Sequence, residues 1–154
     1  QKFPANDISG KVLPKDIATI TLHEIIVARK AIELAAVELA GERITKAELK
    51  ALECCIERMQ ANVEHLPEYL QSDMGFHEQI VKSSKNSALI AAFEAIADYH
   101  KFSQVFSSSS ETGETDAIKH HRRILAALAK RDSAKSVAAL RRHFDSMLKQ
   151  EASL

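Results

Sequence analysis

Asp132 lies midway between His121 and His143, eleven residues from each, in the run K-R-D-S-A. Lys130 and Arg131 suit a helix C-terminus and Asp132 suits an N-cap, so the segment predicts one helix that ends and another that starts at once. If the two helices fold back antiparallel about Asp132, each histidine sits roughly 16 Å from the turn at ~1.5 Å rise per residue. The two imidazoles are then level. A second pair, Asp73 and His77, is four residues apart in Q-S-D-M-G-F-H-E-Q-I-V. That run reads as helix, and positions i and i+4 share a helix face. Taken singly, such residues are more often surface or core positions than ligands. Taken together, one carboxylate and three imidazoles converging from three helices make a ligand set for a metal ion.

The rest of the chain supports a helical framework. Hydrophobic residues make up 45 % of the 154, with no Trp, four Gly and three Pro. Alternating Val/Ile/Thr runs are missing, while Ala, Leu, Glu and Lys dominate, so an all-α antiparallel bundle is expected. The first helix is expected from Asp16 or Thr19 to about Ala40, with Leu22, Ile25, Ile26, Ala28, Ile32, Leu34, Ala35 and Leu39 as its apolar stripe and Gly41 as its stop. Thr45 and Glu48 form a capping box that opens a second helix, to about Leu66. Pro67 fits the first turn of a third, to about Ser84, and Asn86 caps a fourth from Ser87 to about Phe106. The polar run 107–115 reads as a loop. A fifth helix then spans Asp116 to Arg131 and a sixth Ser133 to about Ala152. Residues 1–15 hold two of the three prolines and no helical period, and read as a linker or tail.

Composition also narrows function. Net charge is zero and the basic residues are scattered in sequence, which gives no electrostatic footprint for nucleic acid or an anionic membrane. No apolar stretch approaches the ~18 residues of a membrane span and no signal-peptide pattern is present, so a soluble cytoplasmic domain is expected. Cys54 and Cys55 are adjacent in a helical stretch, where side chains diverge by about 100°; both are expected as free, partly buried thiols in a reducing compartment.

Three histidines with one aspartate suit zinc best, with nickel, manganese or iron also compatible; the set is too poor in oxygen for calcium or magnesium. A six-coordinate ion held this way keeps two positions for a ligand, and a small carboxylate fits them. Gly75 is expected to thin the helix wall nearby. Arg29, with Glu33 four residues on, reads either as half of a surface ion pair or as a buried cation facing an anionic ligand. His100, in D-Y-H-K, is the remaining histidine expected to border the same cavity, whereas His120 should point to solvent. No Glu-x-x-His, H-E-x-x-H, nucleophile elbow or phosphate-binding loop occurs. A metal-dependent enzyme and a metal-free helical interaction module are the alternatives to a domain that binds a small acid at a metal.

Three ordered stretches carry a family resemblance. D-M-G-F-H-E-Q-I-V-K-S-S-K-N-S-A-L (73–89) resembles the D-x-x-F-H-x-x-I-x-x-x-x-x-N-x-x-L signature of the FCD, or FadR C-terminal, domain of GntR-superfamily transcription regulators. H-R-R-I-L-A-A-L-A-K-R-D (121–132), followed by His143 in L-R-R-H-F, resembles its second signature, and V-A-R-K-A-I-E-L-A-A-V-E-L-A (27–40) its R-x-x-x-E-x-x-A-A-x-x-A segment. The resemblance implies a bundle of six or seven helices that binds an organic acid near a metal held by Asp73, His77, His121 and His143. It adds Arg29 as a ligand-pocket residue. It further implies a homodimeric, non-enzymatic regulator whose operator DNA is bound by an N-terminal winged helix-turn-helix domain absent from this chain. Residues 1–15 would then be the interdomain linker and 16–154 the effector- and metal-binding domain. His120 stands where the family usually has an acidic residue.

Overall fold

A computed structural model describes residues 20–100 and 113–153, and all regular structure within them is helical. The expected linker, residues 1–15, and the polar run up to residue 112 lie outside the described residues. Helix α1 is Leu22–Arg43, α2 Lys46–Ala61, α3 Leu66–Ser83 and α4 Ser87–Ala95; α5 is described over residues 97–100, and α6 is Gly113–Ala129 and α7 Ser133–Glu151.

Local chemistry explains most of the boundaries. The Thr45 hydroxyl accepts from the Glu48 N–H while the Glu48 carboxylate accepts from the Thr45 N–H, closing the expected capping box. Thr21 and Glu24 make a second box, so α1 starts at Leu22, later than the expected Asp16 or Thr19. Pro67 lies in the first turn of α3 and Asn86 caps α4 through the Ala88 and Leu89 amides. At the α6–α7 turn, Arg131 takes a left-handed conformation at φ 54°. Its N–H donates to the Leu128 carbonyl and that of Asp132 to Ala127, which closes α6 with a Schellman pattern. Asp132 then accepts from the Lys135 N–H as the N-cap of α7. One three-residue turn thus ends one helix and starts the next.

Four expectations are corrected. Gly41 does not stop α1, which runs on to Arg43. A Cβ at Gly41 would meet Ser133 Oγ at 2.3 Å and Ser133 Cα at 2.8 Å, so the glycine permits close approach of α1 to the start of α7. Helix α2 ends at Ala61 rather than near Leu66. The expected fourth helix breaks at Ile96, where φ is −108° and ψ 9°, giving α4 and α5. Residues 113–115 belong to α6, not to a loop.

The bundle core is formed by Ile26, Val37, Leu52, Ile56, Phe76, Ile80, Ile124, Leu128, Leu140 and Phe144 with their neighbours. Helix α1 lies against α7 and α3, α2 against α3 and α6, and α6 against α7. A smaller cluster of Ala36, Val81 and Phe93 seats α4 on α1 and α3. The buried face of α1 departs from the expected stripe. It comprises Ile25, Ile26, Arg29, Glu33, Ala36, Val37, Ala40 and Gly41, while Val27 is 44 % exposed. Two charged residues occupy the centre of that face.

Candidate metal centre

Helix α3 presents Asp73, Phe76, His77 and Ile80 inward, as a 3.6-residue period requires. Phe76 stacks on His121 of α6, with ring centroids 4.1 Å apart and planes at 8°. This holds the His121 ring edge-on to His77 at 5.0 Å and to His143 of α7 at 5.0 Å. The hairpin turn at Asp132 therefore brings its two histidines level, as their spacing predicts. His77, His121 and His143 are all buried, and each offers a ring nitrogen within 4.8 Å of those of the other two. Asp73 Oδ1 lies 3.3 Å from His121 Nε2 and 3.7 Å from His77 Nε2. Donors bound at ~2.1 Å to one transition-metal ion are separated by roughly 3–3.5 Å; the Asp73–His121 edge falls in that range and the Asp73–His77 edge is slightly longer.

Neither ring nitrogen of His121 makes a hydrogen bond, although the residue is fully buried. Buried polar atoms without partners are costly and call for a reason. Burial, and then the neighbouring His143, holds the His121 imidazole well below its usual pKa; burial and His77 do the same for His143. Both rings are neutral at physiological pH, the form that ligates a metal. The three imidazoles could hold a metal ion, and the nitrogen-rich donor set fits a borderline transition ion rather than calcium or magnesium.

Behind His77 stands a charged pair from α1. Glu33 Oε2 is 2.5 Å from His77 Nδ1, and Arg29 Nε donates to Glu33 Oε1 at 3.1 Å. Arg29 and Glu33 are 1 % and 0 % exposed, so their ion pair is buried and not a surface one. The Arg29 guanidinium lies 5.4 Å from the centroid of the Phe144 ring. Burial alone would raise the Glu33 pKa, but His77 and Arg29 outweigh it and hold the carboxyl at about 2. His100 is buried edge-on against Phe93 at 4.3 Å. Burial, followed by the Arg29 charge, holds its imidazole down to about 3.

Two minor expectations fail. His120 is half-buried rather than solvent-facing, with its ring 5.4 Å from that of His143. Gly75 is 3.4 Å, as an added Cβ, from Cys55 Sγ and lines an outer groove between α2 and α3, away from the histidines. Cys54 and Cys55 are free and partly buried, as expected. Glu33 is the site residue that sequence reasoning did not assign. Its signal was the α1 period itself: Ile25, Arg29, Glu33, Ala36 and Ala40 fall on one face.

Residues 24–146 match the FCD domain family. The chain is 30 % identical over 120 residues to the uncharacterized HTH-type transcriptional regulator YcbG of Bacillus subtilis (strain 168), an alignment covering 78 % of this chain and 50 % of that protein. The chain thus spans about half the length of this relative. A solved structure described as Streptococcus agalactiae GntR superposes with a TM-score of 0.70 at 24 % identity, over 87 % of this chain and 60 % of that one. That likeness establishes the fold. No described helix is long and apolar enough to cross a membrane. With its matching segment running from the first turn of α1 into the last third of α7, the chain belongs to the FCD domain family of GntR-type transcription regulators.

Proposed function

We propose that this domain is the effector sensor of a cytoplasmic, homodimeric GntR-type regulator, binding a small organic acid at a metal held by Asp73, His77, His121 and His143. The observation that carries the reading is His121: a fully buried, neutral imidazole with no hydrogen bond, facing two more histidines and a carboxylate. A nitrogen-rich set of this kind suits zinc first, then nickel, manganese or iron. The ion would supply a Lewis-acidic anchor for a carboxylate.

The protein's own groups do the rest. Asp73 is the one carboxylate beside three imidazoles, so the set carries too little charge to neutralise a divalent ion, and an anionic ligand completes the balance. Arg29 is the buried cation that would orient the far end of that anion, and the low dielectric around it strengthens such a contact. His100, held neutral beside Phe93, would line the same space and offer a hydrogen bond without a charge. Operator binding would come from an N-terminal winged helix-turn-helix, consistent with a longer relative, half of it matched by this chain, that is named as an HTH-type regulator. The domain is expected to bind its effector without turning it over.

Elemental analysis of the purified domain tests the metal. About one transition ion per chain is expected, lost in His121→Ala and His143→Ala. Isothermal titration with mono- and dicarboxylates then compares metal-loaded with chelated protein. Acid binding that survives metal removal unchanged would overturn the effector mechanism.

A further inference from the structure

The carboxylate of Glu33 joins two parts of the site, His77 on α3 and Arg29 on α1. One oxygen reaches the His77 ring 44 residues away in sequence, and the other accepts from Arg29 on its own helix. A carboxylate accepts only, so the His77 nitrogen facing it, Nδ1, is the one that carries the proton. That leaves Nε2 as the nitrogen whose lone pair a metal would take, and it is the one lying 3.7 Å from Asp73 Oδ1 on the cluster side. A ring held through its far nitrogen cannot rotate away from the cluster, and a negative charge behind it raises its basicity toward an ion in front.

We propose that Glu33 is a positioning residue that fixes the His77 tautomer for metal binding and sets metal affinity against the charge of Arg29. This rests on the metal reading above. The two interactions draw on one carboxylate in opposite directions. Arg29 withdraws negative charge from Glu33 and is itself a cation beside the centre, so it weakens the hold on a divalent ion. Glu33 strengthens that hold. An anion arriving at Arg29 would compensate the guanidinium and return the charge of Glu33 to His77. Effector binding and metal binding would thereby reinforce one another through a single side chain, and by linkage each ligand tightens the other equally.

The test uses Zn²⁺ alone as the probe, titrated into the chelated, refolded domain at pH 8 against a chromophoric competitor. Glu33→Gln keeps the side-chain shape and is expected to weaken zinc 10- to 100-fold, the usual range for loss of a carboxylate behind a ligating histidine. Arg29→Met removes the opposing cation and is expected to tighten zinc several-fold. Opposite signs distinguish this arrangement from a shared packing role, in which both variants would weaken binding together. Co²⁺ substitution supplies a second readout: the d–d absorption bands should shift in Glu33→Gln and keep their positions in a surface control such as Lys50→Ala. Should Glu33→Gln fail to fold, Arg29→Met decides by its sign. Native-like zinc affinity in Glu33→Gln, or weakened affinity in Arg29→Met, overturns the inference while leaving the metal site standing. Failure of the unaltered domain to bind zinc, nickel, manganese or iron would instead remove the reading on which it rests.

Discussion

The α6–α7 hairpin and helix α1 deliver polar groups to the same cluster by different physical routes. The hairpin buries His121 and His143 as neutral rings, and each is stabilised in that form by burial itself. Helix α1 buries two full charges, Arg29 and Glu33, which face each other and His77 and so compensate one another. Neutral ligands can be added to a core one at a time; buried charges must arrive in compensating sets. The hairpin side is therefore sensitive to proton concentration, and the α1 side to the loss of any one partner.

Acid should break the hairpin first, and this is the largest effect expected. In the metal-free domain His121 and His143 stay neutral when folded but protonate freely when unfolded, near pH 6.5. Below that pH the unfolded chain binds more protons, so stability is full above about pH 6.5 and falls as pH decreases. The loss is at most about 2 kcal/mol per imidazole between pH 7 and 5, hence at most about 4 kcal/mol for the pair. His100, with its pKa near 3, acts in the same direction. Glu33 follows later: with a folded pKa of about 2 against an ordinary 4.5, its contribution is complete above pH 4.5 and disappears as pH falls toward 2. Denaturant titrations of chelated protein from pH 8 to 4 read this directly, and His121→Phe should remove about one proton from the slope. Stability that is flat between pH 7 and 5 would contradict the neutral burial of these rings.

On the α1 side, Arg29→Met should lower the stability of the metal-free domain by roughly 3–5 kcal/mol at neutral pH, the usual cost of leaving one member of a buried ion pair uncompensated. The double variant Arg29→Met, Glu33→Gln should recover a large part of that loss, because no net buried charge remains. Losses that simply add would show that the two side chains act as independent packing units.

How far each region could be read from sequence follows the same division. The hairpin was legible because its signals are local: Asp132 caps, equal spacing sets the level, and the antiparallel return brings the rings to 5.0 Å. The capping box at Thr45, the proline in α3 and the Asn86 cap were legible for the same reason. Helix α1 was misread because its apolar residues surround it, so hydrophobicity does not single out the face that holds Arg29 and Glu33. Gly41 was misread because its role is set by Ser133, 92 positions along the chain, and not by its neighbours. The break at Ile96 carries no glycine or proline to announce it. What escaped the sequence was whatever depends on a contact between distant segments.

Gly41→Ala probes where the two regions touch. The added methyl would enter within 2.8 Å of the Ser133 backbone, which cannot rotate aside as a side-chain tip can. Moving α1 off the start of α7 should cost about 1–3 kcal/mol, partly offset by the better helix propensity of alanine, about 1 kcal/mol. Equilibrium unfolding gives the net value, expected at up to about 2 kcal/mol of destabilisation. A gain in stability would mean that the helix ends already have room, and that Gly41 serves some local purpose instead.

The smallest effect is expected at a second ion pair that also links α1 to α7. Lys30 Nζ lies 2.6 Å from Asp145 Oδ1, one residue along α1 from Arg29, but Asp145 is 53 % exposed and Lys30 23 %. Water screens this pair and both side chains lose rotational freedom to form it, so a double-mutant cycle over Lys30→Ala and Asp145→Ala should give a coupling of about 0.2–1 kcal/mol. Raising ionic strength to about 1 M shortens the screening length to ~3 Å and should erase it. The coupling between Arg29 and Glu33 should persist under the same salt, because ions do not enter the core to screen it. Two ion pairs that start from neighbouring residues of α1, one within the helix and one reaching α7, would then be separated in energy by burial. If salt weakens both couplings equally, water reaches Arg29 and Glu33 in solution, and the low-dielectric setting assigned to the α1 side of the site is wrong.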